Sequence, residues 1–142
     1  MSKLIYYRKL KGYKYALVKN YHINIGIKGY DCYTPYLELS SSGLLHIKRG
    51  YAWDGASGPT FDTVSSMRGS LIHDCIYQLI RLGKISPDYR KHADALLEDI
   101  CREDGMWKIR AHLWERAVRW FAGLCCRPGS EQDERIYCAP EQ

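Results

Sequence analysis

The apolar and polar positions change period once along the chain, and the change divides it into a β half and a helical half. From Tyr13 to Tyr51 the pattern is of strand type. Tyr15–Val18 and Ile23–Ile27 are short β-type runs. Tyr36 to Ser40, Ser41-Ser42-Gly43 and Leu44 to Lys48 together predict a hairpin closed by a turn of small residues. Gly50 ends its second strand, and Gly55, Gly58 and Pro59 break the stretch from Tyr51 to Ser66 into loop. After that the spacing becomes three and four. Leu71, Ile72, Cys75, Ile76, Leu79 and Ile80 form one buried helix face, with Gly83 as its stop. Ser86 and Pro87 predict the N-cap and first turn of a second helix reaching about Arg102, with Ala93, Leu96, Leu97 and Ile100 as its stripe. A third helix is predicted from about Met106 to Leu124, and a polar, loose tail after Pro128.

The expected fold class is therefore α+β: a small N-terminal antiparallel β-sheet followed by a three-helix unit. At 142 residues a single domain is expected. Its parts are a β-rich segment over 1–50, a candidate metal loop over 51–66, a helical segment over 67–126 and a polar tail over 127–142.

Composition changes this picture little. Hydrophobic residues at 46% and charged residues at 26% are ordinary for a globular chain. The net charge of +5 mildly favours anionic partners, and much of the excess lies in Arg8–Lys19 and Lys108–Arg127. Neither stretch is a basic tail, and a solvated face accounts for both, so nucleic acid is not the expected partner. Residues Met1 to Tyr15 lack the apolar stretch of a signal peptide, and no run reaches the length of a membrane span. The expectation is a protein made in, and staying in, the cytoplasm of the producing cell. The six cysteines contain no C-x-x-C pair, so free thiols are expected rather than structural zinc; Cys125, Cys126 and Cys138 are the one cluster that could pair or bind metal.

Reactive side chains concentrate in three places: Trp53-Asp54-Gly55 in the loop, His73-Asp74-Cys75-Ile76-Tyr77 on the first helix, and His92-Ala93-Asp94 on the second. His73 and Asp74 are neighbours, so their side chains leave the helix about 100° apart. If the helices form an antiparallel hairpin, Asp94 reaches His73. A carboxylate holding one imidazole nitrogen leaves the other to take a proton from water, which is a general-base dyad. Asp74 then faces the loop, where it and Asp54 make an oxygen-rich site suited to Ca²⁺, and Gly55 lets the backbone approach the ion. Each residue alone has a plainer reading. Asp54 caps turns, Asp94 suits a surface, and Tyr77 suits a core position with a bonded hydroxyl.

The combination Asp54-Gly-Ala-Ser-Gly-Pro59, His73-Asp74-x-x-Tyr77 and Asp94 resembles the bacterial and fungal secreted phospholipase A2 family, with its calcium loop, H-D-x-x-Y helix and aspartate on the next antiparallel helix. The resemblance covers about Tyr51 to Arg102. It implies His73 as base, Asp94 as its partner and Tyr77 as the buttress of the dyad. It further implies Asp54, Asp74 and the Gly55 carbonyl as calcium ligands. Two family cysteines that bridge loop to helix are replaced by Ala56 and Ser70, which fits a site held without a disulfide. The whole pattern, including D-x-A-S-x-P, is similar to an uncharacterised domain family of phages and prophages.

Three functions are compatible with these residues. The first is a phage-encoded, calcium-dependent phospholipid hydrolase acting on membrane surfaces, packaged in a particle or released on lysis. The second is a non-catalytic virion or accessory protein, partnered by virion proteins, that keeps the site as a metal clip. The third is an HD-type metal phosphohydrolase using His46, His73, Asp74 and Asp94. The predicted third helix alternates Trp107, Trp114, Trp120 and Phe121 with basic residues, but its apolar positions suffice for packing. Tyr51, Trp53 and Phe61 are the expected lipid-facing rim.

Overall fold

The computed structural model describes residues 4–10, 15–55, 64–105 and 132–139. Within them the fold is α+β, with eight strands arranged as two antiparallel four-stranded sheets, and two α-helices. The strands are β1 (Ile5–Leu10), β2 (Tyr15–Leu17), β3 (Tyr21–Asn24), β4 (Cys32–Tyr33), β5 (Leu37–Leu39), β6 (Leu44–Ile47), β7 (Ala52–Trp53) and β8 (Gln132–Ala139). The helices are α1 (Val64–Arg81) and α2 (Arg90–Glu103), joined through a 3₁₀ turn at Pro87–Tyr89.

One sheet has the order β3-β6-β5-β4 and contains the predicted hairpin, with Leu37 opposite Ile47 and Leu39 opposite Leu45. Those four side chains are buried while Glu38 between them is exposed, the period-two alternation of a sheet with one covered face. The other sheet has the order β7-β2-β1-β8. Tyr7, Tyr15 and Trp53 pack edge-on or tilted across its three sequential strands, with ring centroids 5.6 to 5.8 Å apart. Inner side chains of both sheets and the apolar face of α1 (Leu71, Ile72, Cys75, Ile76, Leu79) belong to one core.

Three expectations need correction. The tail is not loose throughout: residues 132–139 form β8, which pairs antiparallel with β1 from Ile5 opposite Ala139 to Leu10 opposite Gln132. The β part is thus two sheets fed from both ends of the chain, not one small N-terminal sheet. Tyr51 and Trp53 are core residues, not a lipid-facing rim, because loop and strand fold them inward against α1. Phe61 and the predicted helix over 106–124, with its aromatic and basic alternation, lie outside the described residues, as do Cys125 and Cys126. Cys32, Cys75 and Cys101 are free thiols. Among the described residues no helix is long and apolar enough to cross a membrane.

The helix pair positions the site. α1 ends at Gly83, whose backbone is left-handed (φ 72°). Lys84 N–H donates to the Leu79 carbonyl and Gly83 N–H to that of Ile80, a Schellman stop. Ser86 Oγ accepts from Asp88 N–H and caps the next turn. Contacts between α1 and α2 then run in reverse order, Arg68 to Asp104, Gly69 to Leu97 and Cys101, His73 to Asp94, so the pair is antiparallel. Gly69 sits at the closest approach: a Cβ there would lie 2.6 Å from Cys101 Sγ. Five residues before His73, the buried Arg68 guanidinium makes two hydrogen bonds of 2.9 Å to Asp104 and one of 3.0 Å to Tyr21 Oη, tying both helices to β3.

Candidate functional site

His73 projects from the middle of α1, and Asp94 meets it from the first full turn of α2. His73 Nε2 lies 2.8 Å from Asp94 Oδ1, and Tyr77, one turn along α1, donates its hydroxyl to the same oxygen at 2.7 Å. The tyrosine ring also leans over the imidazole, with centroids 4.1 Å apart. His73 and Asp94 are 4% and 3% exposed, so neither explores other partners in water. A carboxylate on Nε2 assigns that nitrogen the proton and leaves the lone pair on Nδ1. On that side Asp74 Oδ1 stands 3.7 Å away, an ion-pair distance too long for a hydrogen bond.

The electrostatics follow from this placement. Burial is the largest influence on His73 and pulls its pKa down, but Asp74 and Asp94 together overcome it and hold the ring above its ordinary 6.5. Burial, followed by Asp94, pushes the Tyr77 hydroxyl up to about 12, so it stays a donor throughout the working pH range. Arg90 opposes that rise from outside, its guanidinium carbon 5.9 Å from the centre of the Tyr77 ring.

Asp74 faces the strand-to-loop junction at Asp54. The Asp54 backbone N–H donates to the Asp74 carboxylate, and the charge of Asp54 acts on it as well. Burial first, and then Asp54, raise the Asp74 pKa against the lowering influence of His73 and that N–H. Asp74 nevertheless keeps 27% of its side chain exposed. Next to Asp54, Gly55 is left-handed (φ 75°). Among the described residues no three His, Cys, Asp or Glu side chains converge on a point that a metal would fill. A calcium shell here would therefore be two carboxylates completed by main-chain carbonyls and water, the donor set that a hard cation accepts. The repulsion that the Asp54 charge exerts on Asp74 is one that a bound cation would relieve.

The structure thus brings together His73, Asp94 and Tyr77, and sets Asp54, Gly55 and Asp74 beside them. His46 is not part of this group. It lies on β6 between the buried Leu45 and Ile47, so alternation turns it to the opposite face of the sheet, where it meets His22 and Glu38. A four-member set of His46, His73, Asp74 and Asp94 does not exist. One feature of the site went unread in the sequence. Trp53 Nε1 donates to Ser70 Oγ at 3.1 Å, and Ser70 in turn donates to the Met67 carbonyl. This bond fastens the chain entering the loop to α1 one turn before His73. The signal for it was Ser70 itself, at a place where the resembled family holds the loop by a disulfide.

No family model matches the chain, and neither the curated proteins nor the solved structures contain a match.

Proposed function

We infer that the protein is a phage-encoded, phospholipase A2-like hydrolase of lipid esters, dependent on calcium, with α1 and α2 as the helix pair of that enzyme type and a third helix following them. The observation that carries the reading is the shared acceptor: one oxygen of Asp94 receives both His73 Nε2–H and the Tyr77 hydroxyl, while Nδ1 points toward Asp74.

The chemistry assigned to the chain's own residues is short. His73 Nδ1 takes a proton from a water as the water oxygen adds to the ester carbonyl carbon. Asp94 holds the imidazole in one tautomer and one orientation and stabilises its cationic form. The proton on Nδ1 then passes to the leaving alkoxide as the acyl C–O bond breaks, so one ester and one water become a fatty acid and a lysophospholipid. Tyr77 keeps Asp94 in place. Asp54, Asp74 and the Gly55 carbonyl would hold the calcium ion. When bound, that ion supplies electrostatic stabilisation of the developing oxyanion.

The near-complete burial of His73 and Asp94 supports one other reading, in which the pair is a clip between α1 and α2 in a virion or accessory protein that catalyses nothing. Fatty-acid release from unilamellar vesicles of phosphatidylcholine and phosphatidylglycerol, in calcium and in EGTA, separates the two. The hydrolase requires release that depends on calcium and disappears in His73→Ala and Asp94→Asn. No release by the wild-type protein, with assembly or infectivity lost in His73→Ala, establishes the clip. Independently of turnover, calcium should raise the melting temperature of the wild-type protein and leave Asp74→Asn unmoved, because ligand binding to the folded form stabilises it by mass action.

A further inference from the structure

The outer face of the β3-β6-β5-β4 sheet carries a row of side chains that the hydrolytic site does not use. His22 of β3 and Glu38 of β5 are both direct cross-strand partners of His46 on β6. Their neighbours Tyr21, Leu37, Leu39, Leu45 and Ile47 are buried, so the period of two places all three on the face away from the core. The two imidazoles are stacked, centroids 4.1 Å apart and planes 21° from parallel. Glu38 reaches over from the other side: its Oε2 is 3.4 Å from His46 Nδ1, while Oε1 is paired with Lys48 at 3.1 Å.

We propose that His22 and His46 form a binding site for a late first-row divalent transition ion, such as Ni²⁺, Cu²⁺ or Zn²⁺, with Glu38 orienting His46 from behind. The carboxylate beside Nδ1 keeps the proton on that nitrogen and leaves the lone pair on Nε2. His46 Nε2 is out of contact with solvent and has no hydrogen-bond partner among the described residues. A buried acceptor in that condition is costly, and a cation beside it removes the cost. A histidine ligand backed through its other nitrogen by a carboxylate is the arrangement that raises ligand basicity and fixes ring orientation. Neutral imidazole selects the late transition ions over Mg²⁺ and Ca²⁺, which prefer oxygen. In the stacked arrangement the ring planes are nearly parallel, so one ion cannot lie in both. Ligation requires His22, the exposed member, to swing about its side-chain torsions until its edge converges with His46 Nε2, and water fills the remaining positions.

The test is isothermal titration of the untagged whole chain with NiCl₂ and ZnCl₂, with circular dichroism to verify that each variant is folded. One ion per chain is expected, with MgCl₂ and CaCl₂ failing to compete. His22→Gln and His46→Gln should each weaken binding at least tenfold, and Glu38→Gln about 10- to 100-fold. His73→Gln should leave it unchanged, which keeps this site distinct from the hydrolytic one. Absence of binding by the wild-type chain overturns the proposal. So does binding unaltered in both His22→Gln and His46→Gln, or abolished in His73→Gln. Unaltered binding in Glu38→Gln removes the role given to that carboxylate.

Discussion

His73 is where the chemistry and the stability of this protein pull in opposite directions with pH. Its folded pKa is raised above 6.5, so its contribution to stability is fully present below that value and is lost as pH rises through the folded pKa. The reaction assigned to it needs the ring neutral and therefore grows over the same interval. Lipid hydrolysis should rise with pH while the melting temperature falls, and His73→Gln should flatten that part of the stability profile. Asp94→Asn removes one of the two carboxylates that hold the ring up. It should move the kinetic pKa downward and reduce kcat by about 10²- to 10⁴-fold, the range for a general base that has lost its orientation. Asp54→Asn makes the complementary case. It relieves the repulsion that raises Asp74, so the calcium-free protein should be more stable near neutral pH while calcium affinity, read by thermal shift, falls about tenfold or more, or ~1.4 kcal/mol. At this scale the dyad was legible because the 21-residue separation of His73 and Asp94 suits two helices and a short reversal. Arg68 was not legible: a lone arginine in a helical pattern reads as solvated, and only Asp104 and Tyr21, brought in from α2 and β3, make it a buried cross-tie.

Between elements, the separation of α1 from α2 sets the length of the His73–Asp94 bond, and Gly69 sets that separation. Gly69→Ala would drive a methyl group toward Cys101 Sγ and Leu97, prying the helices apart one turn from His73. The expected cost is about 1–3 kcal/mol by denaturant unfolding, together with a loss of activity larger than that of a surface substitution. Arg68→Ala leaves Asp104 as a buried carboxylate without its guanidinium and should cost about 3–5 kcal/mol. The helix boundaries were readable from punctuation, because Gly83 and Ser86 act within a few residues of themselves. The strands at the two ends of the chain were not. Ile5–Leu10 carries Arg8 and Lys9, and Gln132–Ala139 opens with Gln, Asp, Glu and Arg, so neither shows clean alternation. What makes them strands is each other, and pairing over so long a sequence separation leaves no local pattern.

For the molecule as a whole, β8 closes the edge of β1 and covers a strand from the opposite end of the chain. A chain ended at residue 131 exposes that edge and should melt lower by roughly 4 °C for each kcal/mol lost, with increased light scattering from edge-to-edge association. The two sheets also divide the chemistry. The His73–Asp94–Tyr77 group, with Asp74 and Asp54 beside it, sits where β7 hands over to the loop and α1, whereas the His22–His46 row looks out from the far side of the other sheet.

The bond between Trp53 and Ser70 makes the tether from loop to helix indifferent to redox conditions. Indole and hydroxyl carry no thiol, so neither glutathione nor air alters the tether between loop and helix. Its geometry is the same in a reducing and in an oxidising medium, and dithiothreitol in an assay buffer should change nothing that the tether controls.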